Sequence, residues 1–234
     1  MDISVFSILT IIMILVATFL FKRKRKAPIH LKEGIPAEDA FTLKTVESCG
    51  LVIDKALECL STGDEIAVCR NHRLGREYFD GLERESRRHD EKTCNPDGKD
   101  AAYRSYMVSA ADKIAETSRR IVTGSGNGLS LAARCEIDSI RESLGRLLAE
   151  SDKAMTGESC HILLGQNISK DKDFIEHTIA EHTRTMTKED YAEGSQSYSY
   201  LQLLHYLHSF VNSLSGSVKA VADRRLAPVA VCPA

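Results

Sequence analysis

Residues 201–221 read LQLLHYLHSFVNSLSGSVKAV. Within them Leu204, Leu207, Val211, Leu214, Val218 and Val221 recur at alternating spacings of three and four. This is the heptad of a helix that lays one apolar seam against other helices. Outward from it, the same period predicts five more helices. The nearest spans 159–186, with Ile168, Ile175, Ile179, His182 and Met186 in register, and the next spans 130–153, with Ala133, Ile137, Ile140, Leu144 and Leu147. Before the glycine-rich break Gly124-Ser125-Gly126-Asn127-Gly128 come three others. A helix over 100–122 carries Tyr103, Met107, Ala110, Ile114 and Ile121; one over 65–93 carries Val68, Leu74, Tyr78 and Leu82; one over 38–61 carries Val46, Cys49, Ile53, Leu57 and Leu60. Thr62-Gly63-Asp64 and Asn95-Pro96-Asp97-Gly98 are the punctuation between them. No segment alternates with period two, so the expected class is all-α, as two antiparallel three-helix bundles side by side over 38–123 and 129–223, with a tail over 224–234.

Composition agrees. The chain has 234 residues, ample for a real core, and its 6% aromatic content without Trp disfavours a β-sandwich. A net charge of −2 excludes a generally basic nucleic-acid binder. The charge is unevenly spread: residues 34–234 hold 25 basic against 31 acidic side chains, a net of −6. The bases missing from that stretch are concentrated near the start.

Residues 3–21, bounded by Ile3 and Phe21, contain no charge, Pro, Gly, Asn or Gln. As a helix they would span roughly 29 Å, close to the ~30 Å hydrocarbon core of a bilayer. A cleaved signal peptide fits poorly, since no basic segment precedes the run and no small-x-small site follows it. Lys22, Arg23, Lys24, Arg25 and Lys26 follow it directly. The positive-inside rule then predicts a single-pass anchor over 1–26, a linker over 27–37, and a cytoplasmic remainder at the cell membrane. Seven dispersed cysteines without a CxxC pair suit a reducing compartment and no zinc site.

Catalytic chemistry finds little support. The glycine break has GxGxG spacing with no strand before it, so it reads as a helix–helix linker rather than a phosphate loop. No nucleophile elbow or HExxH motif occurs. His177 and His182, with Glu176 and Glu181 beside them, and His205 and His208 could be imagined as metal ligands, but His182 lies on the apolar stripe and the HxxxE and HxxxH sets of a di-iron bundle are absent. No enzyme and no cofactor are expected. The charged run 83–92 reads as solvated helix surface, with partner docking as its functional alternative.

Two stretches carry a family resemblance. Glu181-His182-Thr183-Arg184 is followed, after a polar loop, by Ser197-Tyr198-Ser199-Tyr200-Leu201-Gln202-Leu203-Leu204-His205-Tyr206-Leu207. This resembles the EHxxR helix end, serine-bearing loop and YLxLLxxLE helix of the PhoU family. The closest likeness is to the PhoU-like cytoplasmic domain of bacterial sodium/phosphate cotransporters. The resemblance implies six helices in two repeats and a role in modulating phosphate transport by docking on a membrane transporter or sensor. Partners would be the lipid bilayer and that membrane protein, with a homo-oligomer left open. The family's metal-gathering E/DxxxD motif falls here on His208 and Asn212, and in the first repeat on Val108 and Asp112. Most of its hard oxygen ligands are therefore missing; His205, His208 and Asn212 are the remaining metal candidates. The rival readings are a membrane-tethered helical scaffold or signalling protein unrelated to phosphate, favoured by the heptad, and a helical-bundle metalloprotein, favoured by the histidines.

Overall fold

The computed structural model describes residues 35–90, 99–124, 129–157, 161–186 and 194–226. They form six helices: α1 (Ala37–Thr62), α2 (Glu65–Asp90), α3 (Lys99–Gly124), α4 (Leu131–Thr156), α5 (His161–Met186) and α6 (Gly194–Leu226). No strand occurs among the described residues. The ends follow local chemistry. Gly63 takes φ 70°, a left-handed conformation costly for other residues, and its N–H closes α1 on the Cys59 carbonyl at 2.8 Å. Asp64 Oδ1 accepts from the Ala67 N–H at 2.8 Å and so opens α2. Ser130 Oγ does the same for α4 through Ala133 N–H at 3.2 Å, and Gly157 at φ 80° ends that helix.

Side-chain pairs between helices give their directions. Arg141 on α4 reaches Asp54 on α1, while Ser61 reaches Asp138, so α1 and α4 are antiparallel. His208 on α6 meets Glu176 on α5, and Tyr200 meets His182, which makes those two antiparallel as well. The described residues from Pro36 onward form one compact unit. Its centre is a ring of four helices, α1, α3, α6 and α4, each packed on the next. Helix α2 covers the α1–α3 seam and α5 covers the α4–α6 seam. The heaviest pairing joins α3 to α6, one from each half of the chain. The two sets of three therefore share a core, where the sequence had suggested bundles merely side by side. The reason is steric. A Cβ on Gly216 would lie 2.6 Å from the Tyr103 ring, so the bare glycine lets α6 close on α3.

The six heptad residues of α6 are all buried, as are Val46, Cys49, Ile53, Leu57 and Leu60 of α1. Helix α2 departs from expectation. Leu74 is 41% and Tyr78 55% exposed, whereas Val68, Phe79 and Leu82 are buried. Gly75 lies on the buried face: a Cβ there would come within 3.1 Å of Val52, so α2 turns the side with Val68, Gly75 and Phe79 inward in place of Leu74 and Tyr78. An apolar count cannot see a residue that contributes by lacking a side chain.

A buried ionic network closes one end of the ring. Asp100 Oδ2 on α3 receives Arg104 Nη1 at 2.7 Å and Arg224 Nη2 of α6 at 3.2 Å. Arg224 also binds Asp39 Oδ1 of α1 at 2.7 Å, and the Thr42 hydroxyl lies 3.0 Å from Asp100. Asp39, Thr42, Asp100 and Arg104 are all buried.

The apolar run bounded by Ile3 and Phe21, with Lys22, Arg23, Lys24, Arg25 and Lys26, lies outside the described residues. Among the described residues no helix is long and apolar enough to cross a membrane.

Candidate functional site

The resemblance motif is brought together where α4, α5 and α6 meet. Tyr200 is buried at the start of α6, and its hydroxyl donates to Glu136 Oε2 of α4 at 2.6 Å. Burial, then this hydrogen bond, pushes the phenol well above its ordinary pKa. His182 of α5 stands edge-on to Tyr200 with ring centroids 4.7 Å apart, its Nδ1 3.9 Å from the same Glu136 oxygen. Arg184 is anchored by Glu181 on its own helix at 2.6 Å. The arrangement fixes three helices to each other. Tyr200 and Glu136 are engaged with each other across two helices, so the geometry is that of a clamp.

The metal candidates all lie on α6, where two of them meet. His208 Nε2 lies 2.8 Å from Glu176 Oε1 and 2.9 Å from Asn212 Nδ2; protonated it donates to the carboxylate, and it cannot then accept from the amide. The His208 hydrogen bond holds Glu176 below the usual carboxylate range. His205 is exposed one turn earlier on α6. In the first repeat Asp112 sits 3.7 Å from Arg76, and Val108 packs against the core. Among the described residues no three His, Cys, Asp or Glu side chains gather as a metal-ligating group.

Two depressions stand out on the surface of the described residues. The larger, about 660 Å³, lies between α1, α2 and α3 with Phe41, Phe79 and Leu82 among its lining. Arg76, Arg87 and Arg104 face Asp80, Glu83 and Asp112 within it, and Arg76–Asp112 and Arg87–Glu83 (2.7 Å) pair off. Its charges thus cancel internally. The smaller, about 330 Å³, runs between α1 and α4. Sequence reasoning missed Glu136, Glu176 and Arg76 as partners, because the signal that would find them is the pairing of helices, which no local spacing carries.

Beside the larger depression, His72 carries a pH dependence. Burial, reinforced by the positive charges of Arg76 and Arg119, lowers its pKa from 6.5. The folded state therefore prefers neutral His72, and the unfolded state binds the extra proton. Its contribution to stability is whole above about pH 6.5 and is lost as the pH falls through the lowered value. Melting temperature should drop with acidification over that window, and His72→Gln should make the drop shallower. An unchanged slope in the variant would remove His72 from the account.

Comparisons with protein-family models, curated proteins and solved structures find no match.

Proposed function

We propose that this chain is a membrane-tethered, PhoU-like docking protein that modulates phosphate transport by binding a membrane transporter or sensor. The observation that carries the reading is the uncharged run from residue 3 to residue 21, followed at once by five basic residues. Ahead of a compact helical unit, such a run acts as a single-pass anchor with that unit on the cytoplasmic side. Tethering replaces free diffusion by a high effective concentration for partners in the same membrane. The link to phosphate comes from the Glu181-His182-Thr183-Arg184 and Tyr200-Leu201-Gln202-Leu203-Leu204 resemblance. A non-enzymatic role is favoured by the Tyr200 hydroxyl and the Glu136 carboxylate of the α4–α5–α6 junction, which are engaged with each other.

Expression in bacterial cells tests both parts. After an alkaline carbonate wash the full chain should stay with the membranes, and a chain starting at Ala27 should be released. The helical unit should resist protease added outside intact cells. Cells with and without the protein should differ in uptake of labelled phosphate. Release of the full chain by the wash would remove the tether; identical uptake would remove the phosphate role and leave the scaffold reading.

A further inference from the structure

The groove between α1 and α4 differs from the larger depression in its charge. Two glycines shape it. A Cβ on Gly50 would come 2.8 Å from Leu148 Cδ1, so the leucine lies down over α1, while nothing stands within 4 Å of a Cβ on Gly145. The result is a notch walled by Leu51, Leu144 and Leu148, with Leu51 54% exposed. Of the acids on its rim, Asp54 is answered by Arg141 at 2.6 Å. Glu47 and Asp152, also on the rim, make no ion pair among the described residues. Desolvation and then the charge of Asp152 raise the Glu47 carboxyl above its ordinary range, as expected when two negative charges face each other with no cation between them.

We propose that the α1–α4 groove docks a basic, leucine-bearing juxtamembrane segment of a membrane protein. The proposal rests on the membrane-tethered reading above. Cytoplasmic segments beside membrane spans are rich in Lys and Arg, and so bring the charge that Glu47 and Asp152 lack. A helix laying leucines into the notch would place its lysines on the rim, the usual division between pocket and edge in helix-in-groove recognition. The larger depression offers no such preference, since its three arginines match its three acids and two of each pair within it.

The test uses the full chain in detergent and a fluorescein-labelled amphipathic helical peptide of leucine and lysine, with a leucine–glutamate peptide as its opposite. The lysine peptide should bind, weaken as salt rises, and bind at least about tenfold more weakly to Glu47→Lys/Asp152→Lys. Gly145→Phe fills the notch from an exposed helical position and should weaken binding to a similar extent while circular dichroism stays unchanged. Asp80→Lys, in the other depression, should bind as the parent does. Equal binding of the two peptides, or parent-like binding by the double reversal, overturns the proposal. So does tighter binding once Lys22–Lys26 are changed to Gln, which would make this chain's own basic segment the occupant. A dimer in sedimentation that Gly145→Phe dissociates would make it a second copy. The alkaline wash on the same variants keeps the two readings apart: loss of peptide binding with membrane retention sinks only the groove, and release of the parent chain with peptide binding intact sinks only the tether.

Discussion

Asp100→Ala should destabilise the helical unit by about 3–5 kcal/mol, the usual cost of removing one partner from a buried ion pair. Asp100 is 2% exposed, and one of its oxygens serves Arg104 at 2.7 Å and Arg224 at 3.2 Å. Without it the Arg104 cation stays at 4% exposure, close to Phe41, whose ring centroid lies 5.2 Å away, and loses its carboxylate. The loss is a large fraction of a typical domain stability of about 5–15 kcal/mol. Urea unfolding followed by circular dichroism measures it. Asp100→Ala combined with Arg104→Met should cost less than the sum of the two single changes, because both remove the same Asp100–Arg104 pair. A single-variant loss below about 1 kcal/mol would mean that water reaches this end of the bundle and screens the network.

Leu207→Ala should cost about 2–5 kcal/mol, the range for a leucine truncated in a rigid core. Leu207 is fully buried at the middle of the α6 seam, between Leu204 and Val211, which are equally buried. Four-sided packing leaves little room to collapse into the space vacated. The control is Arg87→Ala on α2. Its side chain is 74% exposed and paired only along its own helix with Glu83, so the change should fall within about ±0.5 kcal/mol. Comparable losses at both sites would place the core on the wrong faces.

Those two changes mark the boundary between local and distant information. The Leu207 position was legible, because a seam of alternating three and four spacings is written within a single helix and needs no partner to be recognised. Helix ends at Gly63, Asp64 and Ser130 were legible for the same reason: a left-handed turn or a capping side chain acts on backbone a few residues away. Asp100 was not. Its partner Arg224 is 124 residues along the chain, and Arg224 in turn meets Asp39 across 185 residues. The clamp of Glu136 on Tyr200, 64 residues apart, and the α1–α4 groove also join distant parts of the sequence. The face of α2 also escaped, since Gly75 acts through the space it leaves rather than through an apolar side chain. The chain's own order of residues therefore determined that it is helical, how many helices the described residues form and where most of them end. Only the tertiary structure decided that α3 pairs with α6, that four helices share one core, and which charges are neutralised or left open. Helical period is a property of neighbours along the backbone, whereas pairing depends on close approach at Gly50, Gly75 and Gly216, where the deciding feature is an absent side chain.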